Sequence, residues 1–216
     1  MHQKLIKNTK SIVDSLFNSP QRVNFVDKYG TGYKETKFKH HYRMITGNYN
    51  LPNVSNKSTS FSKIFDKHST QLSNEIDKLL LKVSDVMLKH IFKMTLAQKK
   101  NLTVYGQNKA GLLDIVRYKP NLPDDYYVGE HVDPGLFSLN LLSTACGMEF
   151  YSESKKQWIT QPLGYGVIFC GRAAKEYSNI PNVRHRVSNN KIGRFTIWYE
   201  VGVSDQIKQC ELSKST

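Results

Sequence analysis

The sequence predicts an α+β chain, with a helical N-terminal half and an all-β domain after it. Two observations carry that expectation. Apolar residues recur at steps of three and four through residues 61–98. From residue 102 the period becomes two, in short segments punctuated by Gly, Pro, Asn or Ser. The division falls at 101/102: residues 1–101 are read as a helical support region and residues 102–216 as the β core, within a single compact domain. A chain of 216 residues suits one domain with a sizeable core.

Taken in order, residues 2–17 fit an amphipathic helix. Residues 18–60 read as irregular and basic, with strand pieces where charge and aromatics alternate in "DKYGTGYKETKFKHHYR". Its "GTG" is too weak for a phosphate loop, and "KFKHHYR" reads as a solvated cluster or as part of a basic substrate entrance. "LPNVSNKSTS" is a turn-rich connector. In 61–98 the stripe Leu72, Ile76, Leu79, Val83, Val86 or Met87, Ile91 and Met94 predicts one long helix, or two joined near 69–73. His90 lies beside that stripe and reads as a core-edge residue, not a ligand.

The β core is built from "GLLDIVRYKP" (111–120), "LFSLNLLST" (136–144), "GMEFYSES" (147–154), "QWITQP" (157–162), "YGVIFCG" (165–171), "NVRHRVS" (182–188) and "GRFTIWYEVG" (193–202). Short alternating strands at this spacing indicate a sandwich or barrel. Cys146 and Cys170 fall in apolar strands and are expected to be buried and inert.

Composition narrows the classes of function. No apolar run reaches the ~18 residues of a membrane span, and "MHQKLIKNTKSIVDSLF" reads as a helix rather than a signal peptide. Three widely spaced cysteines argue against a disulfide framework and for an intracellular, cytoplasmic setting, with the nucleus left open. The net charge of +13 suits an anionic partner: nucleic acid, an acidic protein or a small anion. A general lysine richness would give the same figure. There is no arginine-rich arm, zinc finger or helix-turn-helix signature.

The chemistry lies in the β core. In "GEHVDPG", His131 and Asp133 are two apart, so a strand aims both at one point. Imidazole and carboxylate suit a divalent first-row metal, and a further His would complete a 2-His-1-carboxylate triad that leaves coordination positions open. Only His185 of the remaining histidines lies in a predicted β-core strand. It is either a core residue among Val183 and Val187 or the third ligand. Arg184 and Arg186 point to the opposite face.

The following strand favours the ligand. "HRVSNNKIGRFTIWYEV" reads as a hairpin turning near 189–193, which would set His185 across from Phe195 or Thr196. Arg194 and Thr196 share a face, and a guanidinium fork with a neighbouring hydroxyl matches a carboxylate. An organic acid could chelate the metal at one end and dock its far carboxylate there.

This ordered set, His131-x-Asp133, His185 about 50 residues on, then Arg194-x-Thr196, resembles the Fe(II)/2-oxoglutarate-dependent oxygenases. The flanks are most similar to the branch that includes isopenicillin N synthase: "DIVRYKPN…GEHVDPGLFSLNLL", "GMEFYSESKKQWITQPLGYGVIFCG" and "YSNIPNVRHRV". The resemblance covers about residues 111–202. It implies a double-stranded β-helix (jelly roll) core with N-terminal helices packed on its outside. It implies His131, Asp133 and His185 as iron ligands, Arg194 and Thr196 as the seat of the distal carboxylate of 2-oxoglutarate, and Tyr118 of the Tyr-x-Pro strand as a contact to co-substrate or substrate. No catalytic residue is implied beyond the metal ligands.

The implied reaction couples O2 and oxidative decarboxylation of 2-oxoglutarate, giving succinate and CO2, to hydroxylation of an unidentified substrate. Thr196 replaces the usual Ser and keeps the hydroxyl, and the chain is shorter than typical members before the barrel. The alternative is a non-catalytic basic jelly-roll module that binds nucleic acid or another polyanion, with no need for iron. A zinc hydrolase on a similar barrel fits less well, because no further Glu or His has hydrolytic spacing.

Overall fold

A computed structural model describes Asp14, Phe17, Asn18 and residues 25–26, 32–46, 83, 86–93 and 111–201. Antiparallel strands dominate. They are β1 (Phe25–Val26), β2 (Gly32–Glu35), β3 (Lys39–Thr46), β4 (Gly111–Tyr118), β5 (Tyr126–His131), β6 (Phe137–Ser143), β7 (Met148–Ser152), β8 (Gln157–Thr160), β9 (Val167–Cys170), β10 (His185–Ser188) and β11 (Arg194–Val201). A short helix, α1 (Arg172–Ser178), follows β9, and a single π-helical turn lies at Met87–Ile91. The seven predicted β-core segments all carry a strand.

The strands form two sheets in jelly-roll order. The large one runs β1-β2-β3-β4-β11-β6-β9, the small one β5-β10-β7-β8. Their facing sides enclose Val116, Tyr118 and Phe169 from the large sheet against Tyr127, Met148 and Val187 from the small one. The opposite side of the large sheet carries Leu113, Ile115, Phe137, Phe195, Ile197, Tyr199 and Val201, covered by Phe17, Tyr33 and Phe92. β11 is therefore buried on both faces along most of its length. Period-two alternation sends Arg194, Thr196, Trp198 and Glu200 between the sheets and their neighbours to the outer layer.

Four sequence expectations need correction. The segment 182–202 is not a hairpin. β10 pairs with β5 and β7, whereas β11 pairs with β4 and β6. Its turn carries the chain from one sheet to the other, with Gly193 at φ +74°, where a Cβ would strike the Tyr118 carbonyl. His185 thus faces His131 and Phe150, not Phe195 or Thr196.

"KFKHHYR" is not a solvated cluster. β3 pairs with β4 along its whole length, so these residues extend the large sheet. His40 is buried, stacked on Phe17 at 5.5 Å and bonded to Tyr33 Oη at 2.8 Å. Cys146 is exposed in the β6–β7 connection rather than buried, while Cys170 is half-buried. Residues 172–178, left without an element in the sequence reading, form α1.

The helix expected over 2–17 and the connector at 51–60 lie almost wholly outside the described residues, as does most of 61–98. No described helix is long and apolar enough to cross a membrane.

Candidate metal centre and anion pocket

β5 ends on His131 and β10 begins on His185, and the two are cross-strand partners. Their rings lie 4.1 Å apart, centroid to centroid. Asp133 follows two residues after the strand, in a turn gripped from behind by α1: its carbonyl accepts from Arg172 N at 2.8 Å. Gly171 makes that approach possible, because a Cβ there would collide with the carbonyl oxygens of Gly135 and Asp133.

The donor atoms converge. His131 Nε2 and His185 Nε2 each lie 3.5 Å from Asp133 Oδ1. One ligand atom from each of the three side chains falls within 4.8 Å of the others. The remaining polar atoms orient the set. His131 Nδ1 donates to Gly129 O at 2.8 Å and His185 Nδ1 to Val183 O at 3.3 Å. A carbonyl only accepts, so Nδ1 donates to it and Nε2 is the ring atom turned toward Asp133. Ser138 Oγ donates to Asp133 Oδ2 at 2.5 Å, leaving Oδ1 toward the histidines.

Burial resists ionisation of Asp133, but its interactions with His131, His185 and Ser138 outweigh this and hold the carboxyl well below its usual range. The hydrogen bond to Asp133 raises the His131 pKa, against burial and the charge of Lys39. Two imidazoles turned inward by their backbone bonds and one ionised carboxylate are a donor set that fits Fe(II). Asp133 and His185 are buried, while the His131 side chain is 37% exposed, which opens the set to solvent on one side.

A second group shares the interior. Phe169, which packs on His185 at 4.6 Å, belongs to the same buried cluster as Tyr118. Arg194 lies across from Tyr118, its Cζ 5.8 Å from the ring centre. Nη2 donates to Ser143 Oγ at 2.6 Å, while Nε is buried with no acceptor, and no carboxylate pairs with this guanidinium among the described residues. Burial lowers its pKa. A buried cation without a counter-ion among the described residues is costly, and an anion placed beside it would offset that cost.

Thr196 Oγ1, one β-step along, accepts from Asn140 Nδ2 at 3.2 Å and lies 3.3 Å from Ser143 Oγ. Tyr118 stacks on Tyr127 at 4.6 Å, and its phenol is pushed up to about 12 by burial, so it stays a donor. The orphaned Arg194 Nε and the neighbouring hydroxyls are donors of the kind a carboxylate takes.

Of the residues singled out in the sequence, the structure brings His131, Asp133 and His185 together and sets Arg194, Thr196 and Tyr118 on adjacent strands of the large sheet. Sequence reasoning missed the polar residues beside them. Asp114 is buried at the centre of β4, with Arg43 bidentate on it at 2.8 and 2.7 Å and His41 Nε2 at 2.8 Å. Glu200 is buried and accepts from Gly135 N at 2.5 Å. The available signal was polar residues at inward positions of alternating strands: Ser138 and Asn140, Asp114, Glu200, and Lys39, His41 and Arg43 at steps of two.

No family model matches the chain, and no curated protein matches it. Solved structures do. A full-length Neurospora crassa protein, crystallised with alpha-KG and 5-formyluracil, aligns with TM-score 0.72 at 17% identity over 93% of this chain and 71% of its own. The dioxygenase for auxin oxidation from rice aligns with TM-score 0.70 at 16% identity, over 94% of this chain and 70% of its own. A 2OG-Fe(II) oxygenase family protein from Caulobacter crescentus reaches TM-score 0.73 at 18% identity, over 99% and 87%. The chain therefore has the jelly-roll fold of 2OG-Fe(II) oxygenases.

Proposed function

We propose that this protein is an Fe(II)- and 2-oxoglutarate-dependent oxygenase that hydroxylates its substrate, with release of succinate and CO2. One observation carries the reading. A two-imidazole, one-carboxylate donor set and a buried guanidinium lacking a counter-anion share one barrel interior. A bidentate 2-oxo acid with a second carboxylate matches both. The neighbouring folds are described as 2OG-Fe(II) oxygenases or as binding alpha-KG, which supports the same conclusion.

His131, Asp133 and His185 would hold the iron, which with 2-oxoglutarate and O2 supplies the oxidation of a substrate C–H bond. The rest follows from the chain. Ser138, Gly129 and Val183 keep the three ligands turned inward. Arg194 and Thr196 take the distal carboxylate, and Tyr118 stands beside Arg194 as a protonated donor. Phe150 and Phe169 pack against His185 and exclude water from that side. The oxygen balance is closed: one atom of O2 enters succinate and the other the hydroxylated product.

Three further readings belong with this one. Residues 1–101 would support the barrel, β1–β3 by extending the large sheet and Phe17 and Phe92 by covering its outer face. The flanking motifs favour the branch that includes isopenicillin N synthase. Free Cys146 and Cys170 support an intracellular, cytoplasmic setting.

The test uses 2-oxoglutarate labelled at C1, with Fe(II), in air. Labelled CO2, with an equal amount of unlabelled succinate, should form slowly without added substrate and stop in Asp133→Ala. No iron-dependent release in the wild type would contradict the reading.

A further inference from the structure

One basic strand is left unexplained by the iron and the co-substrate. On β3, Lys39, His41 and Arg43 alternate with His40 and Tyr42, so all three lie on the inward face. His41 and Arg43 are bonded to Asp114, whose two oxygens they occupy. Lys39 is different. Its side chain lies largely under the fold, and Nζ has no hydrogen-bond or ion-pair partner among the described residues. Burial lowers its pKa, with Asp114 raising it and Arg43 and Lys34 lowering it further.

Its position is specific. Lys39, Tyr118 and Arg194 form one row across three adjacent strands. Each cation sits 5.8 Å from the Tyr118 ring centre. The Lys39 charge is also felt at His131. Among the described residues, two inward cations without carboxylate partners thus flank one phenol. 2-Oxoglutarate has two carboxylates: one goes to the metal with the 2-oxo group, the other to Arg194 and Thr196. None is left for Lys39.

We propose that Lys39 is a specificity-determining residue that binds a carboxylate or phosphate carried by the substrate, an inference that rests on the oxygenase reading of the same site. Exposed Lys34, paired with His41 on the neighbouring strand, adds a positive charge, and the Asp114 charge is offset by Arg43. The substrate is therefore an acid, held by its anionic end while the C–H bond to be oxidised faces the triad.

The test is calorimetric titration of the anaerobic, Fe(II)-loaded full chain, saturated with 2-oxoglutarate. The probes are phenylacetate, phenyl phosphate and neutral phenylacetamide, with wild type, Lys39→Met and Lys39→Arg compared after matched thermal melts. The acids should bind and the amide should not, and the stronger acid identifies the anion. Lys39→Met should weaken the acids about tenfold or more, Lys39→Arg by much less. Both should keep wild-type affinity for 2-oxoglutarate, which Arg194→Met should lose.

The proposal is overturned if the wild type binds neither acid, or if Lys39→Met binds them as the wild type does. It is also overturned if Lys39→Met loses 2-oxoglutarate as severely as Arg194→Met, because Lys39 would then belong to the co-substrate pocket. If 2-oxoglutarate fails to bind the wild type while the acids still bind through Lys39, the oxygenase reading falls and the anion site stands.

Discussion

His131 and His185 face each other across the β5–β10 pair, and both Nε2 atoms stand 3.5 Å from the same oxygen of Asp133. The other Asp133 oxygen is held by Ser138. This orienting bond makes a prediction of its own. Ser138→Ala should leave the fold intact and weaken Fe(II) binding about 10–100-fold. Metal titration followed by thermal melts checks it: the metal-dependent rise in Tm should shift to higher concentration. Unchanged affinity would mean that Asp133 is positioned by its turn alone.

Arg194 gives an opposite-signed pair of effects. Its guanidinium is buried with one neutral partner, Ser143. Arg194→Met should therefore raise the stability of the ligand-free protein, or leave it unchanged, by removing an uncompensated charge. It should at the same time cost about 2–5 kcal/mol of 2-oxoglutarate binding. Melts with and without 2-oxoglutarate separate the two effects. A large loss of ligand-free stability would show that the charge has a structural role.

Gly171 lets α1 close on the metal-binding turn. Gly171→Ala places a methyl group against two backbone carbonyls that cannot yield like a flexible side chain. The expected cost is about 1–3 kcal/mol of stability, with a loss of metal affinity beyond that of the bulk fold. Chemical denaturation of the metal-free protein and metal titration measure the two parts.

Glu200 makes stability depend on pH. Burial and then the charge of Asp133 raise its pKa to about 7, against Gly135 N–H and Arg43, which lower it. The unfolded value is about 4.3. Between these values the native state holds a proton that the unfolded chain has lost, so stability falls as pH rises through this window and levels off above 7. The drop is on the order of 3 kcal/mol. Denaturation of the metal-free protein from pH 4 to 8 should show it, and Glu200→Gln should flatten this part of the curve. A curve unchanged by that substitution would contradict the assignment.

The candidate residues could be picked out in the sequence because residue type and short spacing single them out. Arg194-x-Thr196 is set by the period of two along β11, whereas Asp133 reaches the histidines from a turn two residues beyond the end of β5. What could not be read depends on pairings far apart along the chain. A five-residue turn after His185 looks the same whether the next strand joins the same sheet or crosses to the other, and here it crosses. Asp114 reads as an acidic interruption in an apolar strand, since its partners Arg43 and His41 are 71 and 73 residues away. The basic alternation of β3 mimics a solvated face, because inward lysine and arginine invert the usual hydrophobic pattern. Cys146 looked like a strand residue and instead lies exposed in a connection.

The central claim is that the three converging ligands and Arg194 together bind Fe(II) and 2-oxoglutarate. Anaerobic addition of both to the full chain tests it directly, read as a visible metal-to-ligand charge-transfer band. The band should appear only with both components, vanish in His131→Ala and Asp133→Ala, and require much more 2-oxoglutarate in Arg194→Met. A folded wild-type protein that gives no band, or a band indifferent to Asp133, would contradict it.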